Sequence, residues 1–432
     1  MRLTGLRAWN REQAGRIVWG IMVIALLLTL LSPAAQADHG GPHDEEEPTA
    51  ESSIETRAPS ADHAARTGLK TENNLSPNAH SAILMDADTG TVIFEKNPHE
   101  KLPPASITKV MTMLLVMEEL DKGALKMDEQ VTASEYAASM GGSQIFLEPG
   151  ESMTVEDLLK GVAMASGNDA TVALAEKIAG SEEIFIRMMN DKAKQLGLKN
   201  THFSNTNGLP AEDHYTTAYD IAVMSRELLK HEEIVQFTSK YQDYLRKDTD
   251  KPFWLVNTNK LVRFYDGADG LKTGYTSEAK FCLSATARRG NFRVIAVVLG
   301  EPNTKTRNAE VTSMFNFAFS QYTNVPIVKD GEQFGIVKVE KGKQSEIVLK
   351  AERPYSVLMR KSEATDLNIR HELVLADQLK APVKKGQEIG KLLVYNKEQS
   401  LGEYALYAPD DIDKAGWWTL MKRTMAKLAF ME

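Results

Sequence analysis

The chain has 432 residues, room for two or three domains, with 42% hydrophobic and 25% charged residues. These proportions suit a soluble globular protein and exclude a polytopic membrane protein, a collagen-like chain and a wholly disordered one. Lys and Arg total 51 against 59 Asp and Glu, a net charge of −8, so nothing points to a nucleic-acid partner.

The N-terminus reads as a signal peptide over 1–37. Arg2, Arg7, Arg11 and Arg16 form a basic region, Ile17 to Leu31 carries no charge, and Ala35-Gln36-Ala37 offers small residues to a signal peptidase. The uncharged run is shorter than the ~20 residues a spanning helix needs. An uncleaved signal anchor is the alternative. Residues 38–71, with Asp44-Glu45-Glu46-Glu47 and few large apolar side chains, read as a disordered acidic linker.

Residues 72–323 read as one α/β domain. Ala82–Asp86 and Thr91–Phe94 flank a turn-like Ala87-Asp88-Thr89-Gly90, which predicts a hairpin. From Ser106 to about Lys230 the pattern is mainly helical, with long periodic stretches at Val155–Ile178 and Glu182–Leu196. Strand patterns return at Ala268–Thr273, Phe281–Ala287 and Val294–Leu299, and a helix carrying Val311, Met314, Phe315 and Ala318 follows. Strands at both ends around a helical insert predict one sheet with helices on its faces.

Residues 324–410 change to short apolar runs punctuated by Gly and charge, the pattern of a small all-β sandwich with no visible chemistry. The last segment, 411–432, reads as an amphipathic helix. At 100° per residue, Trp417, Trp418, Leu420, Met421, Met425, Leu428 and Met431 share one side, with Lys422, Arg423 and Lys427 off it. Paired indoles and a basic face suit the surface of an anionic membrane. A helix docked on the protein's own core is the alternative.

Three motifs carry chemistry. Ser106-Ile107-Thr108-Lys109 puts a hydroxyl at a helix start and a lysine one turn on, on the same face. Serine needs an adjacent base, and lysine becomes one only where burial or another cation lowers its pKa. Ser166-Gly167-Asn168 is the second motif, and Lys272-Thr273-Gly274, on a predicted strand, is the third. Singly each is weak: Ser277 to Lys280 repeats the first spacing, and Ser76-Pro77-Asn78 and Arg66-Thr67-Gly68 mimic the others. A capping serine with a solvated lysine explains any one of them. Only 106, 166 and 272 occur in the order S-x-x-K, S-x-N, K-T-G, each in its expected setting of helix, loop and strand.

With their flanks, Pro103 to Lys109, Met164 to Ala170 and Gly270 to Thr276 resemble the serine D-alanyl-D-alanine carboxypeptidases, the low-molecular-weight penicillin-binding proteins. The wording of Gly142 to Gly150 is most similar to the sporulation-associated members. The resemblance implies a β-lactamase/transpeptidase-like fold: an antiparallel sheet with helices on its faces, a β-rich second domain and an anchor helix. It makes Ser106 the nucleophile and Lys109 its base, with Ser166 and Asn168 relaying a proton and holding the substrate amide. Lys272 would keep Lys109 neutral, and Thr273, Gly274 and Tyr275 would lie along the substrate, the N–H groups of Ser106 and Tyr275 forming the oxyanion hole. Arg307 would meet the terminal carboxylate, although a surface helix arginine fits its position too. Some members have His where Tyr275 stands, so their pH behaviour does not carry over.

The implied partners are peptidoglycan stem peptides ending in D-Ala-D-Ala, β-lactams as covalent inhibitors and an anionic membrane surface. The protein would be exported to the outer face of the cytoplasmic membrane, or secreted. No cofactor or metal is expected, since the nine histidines show no HExxH spacing and Cys282 is the sole cysteine. A β-lactamase is the first rival, disfavoured by the lack of an E-x-x-L-N-like loop and by Gly167 in place of Asp. A non-enzymatic wall-binding protein is the second, disfavoured because Ser106, Lys109 and Lys272 are all kept.

Overall fold

A computed structural model describes residues 74–351, 355–364, 367–375 and 379–429. The expected signal peptide and acidic linker lie outside the described residues.

The central sheet takes strands from both ends of the first domain, as the pattern predicts. β1 (Ser81–Asp86), β2 (Val92–Lys96), β3 (Ala268–Thr276), β4 (Lys280–Arg289) and β5 (Phe292–Glu301) run in the order β2-β1-β5-β4-β3. All neighbours are antiparallel. β5 is almost continuously apolar because both of its faces are covered. Ile295, Val297 and Leu299 join the core beneath the helical region, while Val294, Ala296 and Val298 pack with Val311, Met314 and Phe315.

The helices are α1 (Lys109–Asp121), α2 (Val155–Lys160), α3 (Asn168–Ala179), α4 (Glu182–Gln195), α5 (Ala218–Leu228) and α6 (Thr304–Gln321). Periodicity alone predicts one long stretch over Val155–Ile178. The chain instead leaves α2 through a wide turn, Gly161–Ala165, and breaks at Ser166. Ser166 is left-handed (φ +64°), which costs roughly 1 kcal/mol or more. Asp169 offsets it: its buried carboxylate accepts from the N–H groups of Ile145, Leu147 and Ala170 at 2.9–3.1 Å. Bonds to a charged acceptor contribute about 1.5–3 kcal/mol each, so the break wins over helix continuity.

Hairpins also interrupt or follow the helical region where no strand is expected. Gln130–Thr132 pairs with Ser152–Thr154, and Gln242–Leu245 with Phe253–Val256.

Beyond α6 the chain forms short strands around a separate core that includes Val337, Val339, Ile389, Leu392 and Val394. Tyr322–Val328 pairs with Tyr355–Arg360, and two three-stranded sheets complete this all-β unit. The last helix, α7 (Trp417–Ala429), starts later than the pattern suggests. Residues 412–415 bond the β-rich unit instead: Ile412 bridges Val383, and Ala415 N–H donates to Lys341 O at 2.7 Å. Arg423, expected free on the polar face, donates to the carbonyls of Gly342 and Lys343 at 2.7 and 2.6 Å. Trp417, Trp418 and Met425 stay exposed. Among the described residues no helix is long and apolar enough to cross a membrane.

Candidate active site

A single 3-10 turn, Ala105–Thr108, leads into α1 and puts Ser106 and Lys109 side by side. Lys109 Nζ lies 3.2 Å from Ser106 Oγ and donates to Asn168 Oδ1 at 2.7 Å and Asn207 O at 2.6 Å. Burial, reinforced by the charge of Lys272, holds the Lys109 amine well below the usual lysine range, against an opposing pull from Asp169. A neutral amine has two N–H groups, which the two carbonyl oxygens take. Its lone pair is left for the Ser106 hydroxyl.

α3 delivers Asn168. Its backbone N–H donates to Ser143 O at 2.7 Å and its side-chain N–H to Gly141 O at 2.6 Å, tying down the 141–143 segment. Ser166 is buried nearby, and its Oγ has no hydrogen-bond partner among the described residues. The geometry thus joins Asn168 directly to Lys109 and leaves Ser166 unbonded.

β3 supplies the other wall. Lys272 is buried and donates to Thr273 O at 2.8 Å. Burial first, and Arg307 second, push its pKa down to about 7. Thr273 Oγ1 bonds Thr258 Oγ1 at 2.7 Å. A Cβ on Gly274 would sit 3.1 Å from both Ala105 Cβ and Pro104 O, so glycine lets β3 lie close to the turn bearing Ser106. Tyr275 is exposed, its ring 4.4 Å from that of Phe281. Arg307 is no surface arginine: it is 4% exposed, with Nη1 3.5 Å from Cys282 O and Nε and Nη2 donating to Asn308 Oδ1 at 3.1 and 3.0 Å. A cleft of about 440 Å³ opens beside Ala105, walled by residues 208–215 and by Thr276 and Glu278.

The look-alike motifs fall elsewhere. Ser277 and Lys280 are exposed at the β3–β4 turn. Ser76 and Asn78 bond the Glu310 carboxylate. Arg66 to Gly68 lies outside the described residues.

The family profile described as D-alanyl-D-alanine carboxypeptidase matches residues 69–303, and that of the penicillin-binding protein 5 C-terminal domain matches 322–414. The D-alanyl-D-alanine carboxypeptidase DacF of Bacillus subtilis is 55% identical over 371 residues, covering 86% of this chain and 94% of the relative. The chain belongs to the D-alanyl-D-alanine carboxypeptidase family. DacC of Escherichia coli, also a D-alanyl-D-alanine carboxypeptidase, is 35% identical over 79% of this chain and 86% of its own. The crystal structure of penicillin-binding protein 5 from Haemophilus influenzae superposes with a TM-score of 0.64 at 30% identity, covering 80% of this chain and 99% of that one. The carboxypeptidase is therefore an enzyme of the penicillin-binding class, and neither the β-lactamase nor the non-enzymatic reading is favoured.

Sequence reasoning missed four residues of the candidate site. Asn207 gives Lys109 a carbonyl, and Asn-Gly at 207–208 is a turn signature that flags the position. Gly208 (φ +89°) is the residue that reaches Ala105, since a Cβ there would collide with Ala105 O. Asp169 carried the weak signal of an acid in a helix first turn. His214 carried none. Among the described residues, no three His, Cys, Asp or Glu side chains converge on a metal position.

Proposed function

We propose that this carboxypeptidase works through an acyl-enzyme on Ser106, releasing the terminal D-alanine of peptidoglycan stem pentapeptides, and that penicillin inhibits it by acylating the same oxygen. The observation that carries this reading is the occupation of both Lys109 N–H positions by Asn168 Oδ1 and Asn207 O. Lys109 takes the hydroxyl proton as Oγ bonds to the carbonyl carbon of the penultimate D-alanine. Ser106 and Tyr275 N–H groups hold the oxyanion. The C–N bond then breaks, and the departing D-alanine nitrogen receives the proton from Lys109 by way of the Ser166 hydroxyl, while Asn168 holds the substrate amide. Water, deprotonated by Lys109, hydrolyses the ester and frees Ser106. Lys272, Thr273, Gly274 and Tyr275 line the substrate backbone, and Arg307 with Lys272 draws its carboxylate.

The test is mass spectrometry after incubation with penicillin. A covalent adduct on Ser106, absent in Ser106→Ala together with peptidase activity, supports the reading. An adduct on Ser166 or Ser277, or full activity in Ser106→Ala, overturns it.

The same reading divides the chain into a signal peptide (1–37), a linker (38–71), the peptidase domain (72–323), a β-rich domain (324–410) and a membrane-associating tail (411–432). The enzyme acts outside the cytoplasmic membrane, held peripherally by α7. Support comes from the way α7 turns Arg423 toward the β-rich domain and leaves Trp417 and Trp418 67% and 66% exposed. The sporulation-associated assignment rests on the wording of Gly142 to Gly150.

A further inference from the structure

A relay of hydrogen bonds from Ser204 and His214, through Thr108 of the first motif, ends on the peptide bond that precedes Ser106. Ala105 is buried and left-handed (φ +48°), a conformation that a residue with a Cβ adopts only when its surroundings enforce it. Its carbonyl accepts from Thr108 Oγ1 at 2.8 Å. Thr108 Oγ1 in turn lies 2.8 Å from His214 Nε2, and Ser204 N–H donates to His214 Nδ1 at 2.9 Å. These contacts admit one assignment of protons. Nδ1 accepts, so the hydrogen is on Nε2; Thr108 has spent its own hydrogen on Ala105 O, so its oxygen accepts from Nε2. The bonds run in one direction, from Ser204 N–H through His214 and Thr108 to Ala105 O.

The end of that chain lies at the reacting centre. In a trans peptide the carbonyl and the following N–H point in opposite directions. Fixing Ala105 O therefore fixes the direction of Ser106 N–H, and with it the start of the turn that aims Ser106 Oγ at Lys109. Gly208, from the same 204–214 segment, closes on Ala105 O from its own side.

We propose that His214 is a positioning residue of the carboxypeptidase: through Thr108 it locks the Ala105–Ser106 peptide plane, keeping Ser106 N–H aimed at the oxyanion and Oγ in reach of Lys109. This rests on the reading of Ser106 as nucleophile. His214 is 7% exposed, and its ring meets that of Phe203 edge-on at 6.0 Å. Burial, aided by His202, pushes its pKa down to about 4, so the neutral, one-hydrogen form persists at neutral pH.

Two substitutions separate hydrogen bonding from bulk. Glutamine has one acceptor and one donor end and can replace both ring nitrogens, whereas phenylalanine keeps the ring and loses both bonds. The experiment measures the rate of penicillin acylation against penicillin concentration in the full-length protein, with thermal unfolding as a check on folding. His214→Phe is expected to lower the limiting acylation rate about 10-fold or more, the scale of a misaimed oxyanion donor, with little change in the half-saturating concentration. His214→Gln is expected to recover most of that rate. Thr108→Val is expected to reproduce the loss, and Thr108→Ser, which keeps the hydroxyl, to acylate faster than Thr108→Val. If His214→Phe acylates at the wild-type rate, or if folded His214→Gln is as slow as folded His214→Phe, the proposal is wrong. If the Phe variant does not fold, the Thr108 pair decides: equal rates for Val and Ser overturn it. A wild-type protein that takes no adduct on Ser106 would instead remove the nucleophile reading beneath it.

Discussion

Lys109 Nζ donates to Asn168 Oδ1 at 2.7 Å, closer than its 3.2 Å approach to Ser106 Oγ. The amide oxygen is neutral, so it orients the amine while favouring its protonation far less than a charge would. A carboxylate in that place would do the opposite, because an adjacent negative charge stabilises the ammonium form. Asn168→Asp, nearly the same in shape, is expected to raise the Lys109 pKa and suppress penicillin acylation at neutral pH, with activity returning as pH rises. Acylation rates across a pH series check this. A profile superimposable on wild type would remove Asn168 from the control of Lys109.

Lys272 acts on the same amine with the opposite sign. Its charge lowers the Lys109 pKa, and since its own lies at about 7 it carries that charge mainly below pH 7. Removing it lets the Lys109 pKa rise, so at a given acidic pH less Lys109 is neutral. Lys272→Met is therefore expected to move the acid limb of acylation to higher pH, with the difference fading above about 7. An unmoved limb would mean that burial alone tunes Lys109.

The sheet and the three motifs were legible because both rest on local pattern. β5 reads as a strand from its unbroken apolar run, and Ser106 and Lys109 are one helical turn apart whatever surrounds them. The break at Ser166 was not legible as a conformation. It depends on Asp169 reaching the backbone of residues 145 and 147, more than twenty positions away in the chain. His214 was hidden for the same reason, as nothing near it in sequence announces Thr108. The late start of α7 was hidden too. The segment reads as helix from its start, but Lys414 and Ala415 bond the backbone of Gly342 and Lys341 instead, and the helix begins only beyond Gly416.

Arg307 tests how the carboxylate is held. It is buried beside Cys282 and close enough to Lys272 to lower its pKa, so the two cations present a joint positive potential. Arg307→Ala is expected to weaken kcat/KM for peptides with a free terminal carboxylate by about 1.5–3 kcal/mol, the worth of a charge-assisted hydrogen bond. Amidated peptides should show little change. With Arg307 gone, the Lys272 pKa should also rise, because the second cause lowering it has been removed. Equal kcat/KM for the free-acid peptide in the two proteins would leave Arg307 a structural role only.

The tail gives the last prediction. Arg423 is engaged by two backbone carbonyls, so it contributes less to lipid attraction than a free cation does. Lys422 is exposed, and each such cation adds roughly 1 kcal/mol near an anionic surface, an attraction that salt screens. Trp417 and Trp418 contribute through buried area, which salt does not weaken. The chain as a whole is acidic, so its net charge opposes rather than supplies the attraction. Truncation after Gly416 is chosen because residues 412–415 bond the β-rich domain and are kept. The truncated protein is expected to lose co-sedimentation with anionic vesicles while hydrolysing a small soluble D-Ala-D-Ala peptide normally, since every site residue precedes 310. In the intact chain, Trp417→Ala with Trp418→Ala should weaken binding at low and high salt alike, whereas Lys422→Glu should weaken it chiefly at low salt. Equal vesicle binding by intact and truncated protein, or none by either, would make α7 a structural helix of the β-rich domain.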